Sequence, residues 1–187
     1  MRDLVEDWFS GTGSATAPFV DCGKHTVVHI DIAGHPEIRS DARSPPAFLL
    51  REHPRFSWAS APCTEFSHLT YLRVYHPGGK PPNPELGMEL VRVAFARVER
   101  ADLWVVENAR GSEPWISREF GKPWLVKDAW CLWSNLPPSL LPESNVWRKC
   151  RAARFKTRRP RYPGPSRKFR GLIPRPLAEA VHSAVCS

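Results

Sequence analysis

Cys63 follows Pro62 in a short polar turn, Ala61-Pro62-Cys63-Thr64-Glu65-Phe66-Ser67, and a cysteine so placed is a candidate nucleophile. A free thiol titrates near roughly 8.5, so attack at neutral pH needs activation. Glu107 ends the apolar run Leu103-Trp104-Val105-Val106 and is a candidate acid for the same chemistry, with Asn108 beside it to brace the turn around the nucleophile. Upstream, Asp7-Trp8-Phe9-Ser10-Gly11-Thr12-Gly13-Ser14 brings two glycines to the end of another apolar run. Glycines let backbone N–H groups approach a ligand, and a helix opening there favours a carboxylate or phosphate. Asp31 closes the next apolar run, where a carboxylate can accept both hydroxyls of a ribose. Asp41-Ala42 follows, with Asp41 a candidate for an adenine amino group. The plainer alternatives are an inert buried thiol for Cys63, a solvated acid or a partner of Arg110 for Glu107, and simple strand-end or turn residues for Asp31 and Asp41.

Positioning these residues needs a sheet. Leu4 to Phe9, Thr26 to Ile32, Phe56 to Ser60 and Leu103 to Glu107 are short apolar runs that read as buried, mostly parallel strands. The clearest helix is predicted from Pro84 to Ala101, with Leu86, Leu90, Val91, Ala94 and Val98 on one face and Asn83 as N-cap. A helix is also predicted between the glycine turn and Gly23, a natural stop. Alternating strands and helices imply an α/β fold with a doubly wound, mostly parallel sheet. Such sheets bind ligands at the carboxyl ends of their strands, which is where Phe9, Asp31, Cys63 and Glu107 fall.

The chain has 187 residues, one domain's worth, and a net charge of +8 with a pI near 9.6. The excess is concentrated between Arg148 and Arg170, within a proline-rich stretch from Leu136 to Arg170, so nucleic acid is the expected partner. A short amphipathic helix is predicted at Leu172 to Val181. The five cysteines are widely spaced with no C-x-x-C pair, which suggests neither a disulfide framework nor a metal site, and fits a reducing cytoplasm. No apolar run is long enough for a bilayer, and the acidic N-terminus is unlike a signal peptide.

Taken in order, Asp7 to Gly13, Asp31, Asp41, Pro62 to Ser67, Glu107-Asn108 and Ile173 to Ala180 resemble the motifs of the cytosine-5 DNA methyltransferase family, in particular its small phage-type or prophage-type members. The resemblance implies a Rossmann-like methyltransferase fold with S-adenosylmethionine as cofactor. It places Asp7, Phe9, Ser10, Gly11, Thr12, Gly13, Asp31, Ile32, Asp41 and Ala42 in the cofactor shell, with Phe9 against the adenine. It makes Cys63, after Pro62, the nucleophile that adds to carbon 6 of the cytosine, and Glu107 the acid at ring N3, with Asn108 bracing the turn. The loop at 68–80 would close over DNA, with Ser67, Arg110, Lys127, Arg151, Arg154, Arg158 and Arg159 as candidate nucleic-acid contacts. The chain departs from the family at Ala61, Ala109 and Gly171. In the region of the family's arginine-rich strand, only Lys127 is a comparable cation. The basic segment stands where a target-recognition domain is expected, so specificity should be short or relaxed. An RNA cytosine-5 methyltransferase and a catalytically silent nucleic-acid-binding relic stay open as alternatives.

Overall fold

The computed structural model of the chain describes residues 2–66, 81–127, 129–137 and 173–186. Ser67, the loop at 68–80 and the basic segment carrying Arg151, Arg154, Arg158 and Arg159 lie outside the described residues, as does the Lys127 side chain.

Each of the four apolar runs forms a strand, because short β-branched and aromatic stretches bounded by turn residues bury well on both faces of a sheet. The elements run β1 (Asp3–Trp8), α1 (Ala17–Asp21), β2 (His25–Asp31), β3 (Ile38–Arg39), α2 (Ala47–Arg51), β4 (Phe56–Ser60), α3 (Pro84–Val98), β5 (Leu103–Ala109), α4 (Glu113–Phe120), β6 (Leu125–Lys127), β7 (Trp130–Ser134) and α5 (Arg175–Cys186). The strands make one seven-stranded sheet in the order β3-β2-β1-β4-β5-β7-β6. β1 to β5 are mutually parallel, whereas β7 runs antiparallel to both β5 and β6. The order reverses between β1 and β4, and the crevice outside the carboxyl ends of these strands is the general ligand position of such sheets.

Alternation along the strands divides the interior into two layers. On one face Trp8, Ala59, Val106 and Trp133 pack under Met88, Val91, Phe95 and Val98 of α3. On the other, Val5, Phe56, Trp58 and Val105 pack under Phe19 of α1 and Leu177, Ala178, Val181 and Val185 of α5.

Three helices differ from the sequence expectation. α3 starts as predicted, with Asn83 Oδ1 accepting the Leu86 N–H at 3.3 Å and proline in its first turn, but it ends at Val98 rather than Ala101. Its buried stripe holds Gly87, Met88 and Phe95, while Leu86 points outward at 48 % exposure. The first turn is rotated because Gly87 is pressed against Phe66: a Cβ there would lie 2.5 Å from the Phe66 ring. α1 begins only at Ala17, beyond the glycine turn, and the Thr16 side chain makes no cap bond. That hydroxyl is taken up by Asp7 instead, at 2.7 Å. The closing helix begins at Arg175, later than predicted, once Pro174 has been passed. Among the described residues no helix is long and apolar enough to cross a membrane.

Candidate active site

The turn after β1 is built from residues with unusual backbone. Phe9, Gly11 and Gly13 all have positive φ, at 56°, 55° and 68°. For Phe9 this is a sparsely occupied conformation, of the kind that accumulates where a fold serves a ligand. The two glycines serve different ends. A Cβ on Gly11 would meet open space, whereas a Cβ on Gly13 would stand 2.7 Å from His29 Nε2. Gly13 is therefore required by the protein's own packing.

Asp31, at the carboxyl end of β2, accepts the Gly11 N–H at 2.8 Å through Oδ2 and the Ala33 N–H at 2.9 Å through Oδ1. A carboxylate has about four lone-pair sites, so two remain for a ligand. A cleft of about 240 Å³ opens here, lined by Phe9, Ile30, Asp31 and Ile32 from the first two strand ends, by Ser40 to Arg43, and by Ser60, Pro62 and Leu90. It joins the glycine turn to the Pro62-Cys63 turn. Ile32 is 65 % exposed, an apolar surface beside the Asp31 carboxylate.

Other expected cofactor residues are placed differently. Asp7 is buried beneath the turn, hydrogen-bonded to Thr16, with His29 Nε2 4.0 Å away. Burial pushes its carboxyl up to about 6, against the Thr16 hydrogen bond and His29. It is a support of the turn, not a wall of the cleft. His29, which sequence reasoning passed over, completes that support: Nε2 lies 3.1 Å from Thr16 Oγ1 and Nδ1 lies 2.7 Å from Glu37 Oε2. Asp41 does line the cleft, but its carboxylate accepts the Arg43 guanidinium at 2.6 Å and the Arg43 backbone N–H at 2.9 Å. The Arg43 hydrogen bonds hold Asp41 at about 2, so an adenine amino group would compete with a full ion pair. Ala42 is buried against the α3 layer, with its carbonyl taking the Arg97 Nε–H at 2.8 Å. Ser10 donates its backbone N–H to Ile30 O at 3.3 Å and accepts the Gly13 N–H at 2.7 Å, closing the turn over which Thr12 is exposed.

The Pro62-Cys63 turn is anchored at three points. Phe66, whose N–H bonds the Cys63 carbonyl at 3.0 Å, packs on Gly87 of α3. Glu65 accepts the Asn83 N–H at 2.8 Å, tying the turn to the start of α3. Asn108, wholly buried, donates from Nδ2 to the Ala61 carbonyl at 3.1 Å and accepts the Ala109 N–H at 2.9 Å. The bracing role expected of Asn108 is thus a hydrogen bond to the residue before Pro62.

Glu107 stands opposite Ser60 in the β4–β5 register. Its carboxyl is hydrogen-bonded by Ser60, not paired with Arg110, and burial pushes it up to about 7. Ser60 Oγ in turn accepts the Trp58 indole N–H at 2.8 Å, which fixes the hydroxyl. Burial and the nearby Glu107 carboxylate raise the Cys63 thiol above its ordinary value. The Glu107 carboxylate is thus near enough to oppose ionisation of the Cys63 thiol. The sequence reading took Ser60 only as the end of a strand; its signal was that position, level with Glu107.

The candidate nucleic-acid residues are only partly described. Arg110 is exposed in the turn after β5, its N–H bonded to the Ala129 carbonyl at 2.9 Å. Lys127 lies on the outermost strand, and both it and Ala109 pair with Trp130 of β7. That register sets it level with the end of β5 and roughly 10 Å across the sheet. No protein-family model matches the chain, and no curated protein matches it.

Proposed function

We propose that the chain is an S-adenosylmethionine-dependent methyltransferase of the Rossmann-like fold, acting on carbon 5 of cytosine in DNA. The observation that carries this reading is the proximity of Cys63 to a Glu107 whose carboxyl is raised to about 7, with Ser60 bonding Glu107 and Asn108 bonding the Ala61 carbonyl just before the Pro62-Cys63 turn, at the strand ends beside the cleft.

The chemistry needs a thiolate next to a protonated carboxyl, and a thiol next to a carboxylate carries the same net charge. Raising Glu107 toward neutrality brings the reacting arrangement within reach at ordinary pH. The Cys63 thiolate adds to carbon 6 of the ring, while Glu107 donates a hydrogen bond or proton at N3 and drains charge from it. Carbon 5 becomes nucleophilic, accepts the methyl group, and loses its proton as the Cys63 sulfur is eliminated. When bound, S-adenosylmethionine supplies that methyl group as an electrophile. Asp31 would accept from its ribose hydroxyls, and Phe9 and Ile32 offer apolar faces to its adenine; the open side of Gly11 leaves room for the approach. The target base must leave its stack to reach Cys63. The net charge of +8 supports a polyanionic partner.

The test is incubation with labelled S-adenosylmethionine and either duplex DNA or RNA, followed by mapping of methylated positions. Label at carbon 5 of cytosine in DNA is expected. Label confined to RNA would move the activity to that substrate. Binding of cofactor and DNA without transfer would favour the silent relic, a reading to which the raised Cys63 thiol lends weight.

A further inference from the structure

At the opposite end of the sheet from the cleft, two short sequence pairs come together: Cys22 and His25, flanking the start of β2, and His182 and Cys186, one turn apart on α5. The ligating atoms of Cys22, His25 and His182 all lie within 4.8 Å of one another. Cys186 Sγ is 3.5 Å from His25 Nε2 and 3.5 Å from His182 Nε2. A tetrahedral zinc ion at about 2.3 Å from sulfur and about 2.0–2.1 Å from nitrogen separates a sulfur and a nitrogen ligand by roughly 3.6 Å. The two Cys186 spacings match that value, while Cys186 Sγ stands beyond 4.8 Å from at least one of the other ligating atoms, so the fourth ligand must swing inward to close the tetrahedron. We propose that Cys22, His25, His182 and Cys186 form a structural zinc site that clasps α5 to the α1–β2 turn.

The surroundings suit this role. Phe19 meets both imidazoles edge-on, at 5.3 Å for His25 and 4.7 Å for His182, so the rings are held by a buried wall. Cys22 makes only a weak Sγ–H bond, to the Phe19 carbonyl at 3.2 Å, which ionisation would exchange for the metal. Two thiolates neutralise the ion's two charges, and binding releases two protons. Four protein ligands leave no open position, so the site is closed and stabilising, not catalytic. Cysteine spacing alone suggested no such site because C-x-x-H and H-x-x-x-C lie at the two ends of the chain. Zinc is favoured over harder cations by the mixed sulfur and imidazole donors.

The experiment uses the full chain, purified with a reductant, stripped with chelator and titrated with Co²⁺ and then Zn²⁺. One equivalent of Co²⁺ is expected to give the near-ultraviolet thiolate-to-cobalt band, which Zn²⁺ should bleach. The band should be lost or shifted in Cys186→Ser and His182→Ala, and persist in Cys63→Ser. Zinc should raise the Tm of the stripped protein by about 5 °C or more. X-ray absorption at the zinc edge of the unmodified protein gives a reading that requires no variant: two sulfur and two nitrogen scatterers support the site. A shell of nitrogen and oxygen alone, no cobalt band, or a band unchanged by replacing Cys22 and Cys186 together would overturn it.

Discussion

With its carboxyl raised from an ordinary 4.5 to about 7, Glu107 links the charge state of the site to the stability of the fold. The unfolded chain releases this proton near 4.5 and the folded one near 7, so between those values the folded state binds more protons. Stability therefore falls as pH rises through this window and levels off above it. The gap corresponds to on the order of 3 kcal/mol. Glu107→Gln should be more stable than wild type by that order near pH 8, with the advantage shrinking toward about pH 5; urea denaturation at both values measures it. Parallel pH profiles for the two proteins would mean the carboxyl is not held neutral. Cys63→Ser should abolish methyl transfer while leaving cofactor affinity close to wild type, since a hydroxyl ionises far less readily. Substantial residual turnover would remove Cys63 from the mechanism. Asp31→Ala should weaken S-adenosylmethionine by roughly 1.5–3 kcal/mol in calorimetry, through the lost charged acceptor and the freed Gly11 N–H. An unchanged dissociation constant would reduce Asp31 to a support of the turn.

Elements explain which of these residues could be read from sequence. The strand ends were legible because Leu4 to Phe9 and Leu103 to Glu107 are continuous apolar runs, and a run's end marks where its side chains meet the crevice. The rotation of α3 was not legible, because it follows from Phe66 pressing on Gly87, a contact between separate elements. The same holds for Ser60, whose role depends on the β4–β5 register, and for Asp7, drawn under the turn by Thr16. The two turn glycines give a direct comparison. Gly11→Ala meets open space and carries only the left-handed backbone penalty, about 1–2 kcal/mol. Gly13→Ala adds the collision with His29 and should be the more destabilising of the two in urea denaturation. Equal losses would contradict the packing described for His29.

For the whole molecule, the charge excess and the proline-rich stretch from Leu136 to Arg170 concern affinity more than chemistry. If its arginines neutralise phosphates, affinity for duplex DNA should fall steeply with salt, by a slope of about −0.9 per contact. Neutralising Arg158, Arg159 and Arg161 together should weaken binding to all sequences alike and flatten that slope. A variant that kept its slope but changed which cytosines are methylated would make the segment a reader of sequence.

The Ile173 N–H donates to Ser14 Oγ at 3.0 Å, joining positions 159 residues apart. That bond gives the glycine turn a place in time as well as in space. During synthesis β1 and the glycines emerge first, yet the turn lacks this partner until the last helix has left the ribosome and packed on Phe19. Contacts of such sequence separation form late, after the loop-closure entropy has been met. The finished glycine turn should therefore appear near the end of folding, and a nascent chain halted before Ile173 should carry Cys63 without it; under the proposed function, binding of the methyl donor would appear equally late.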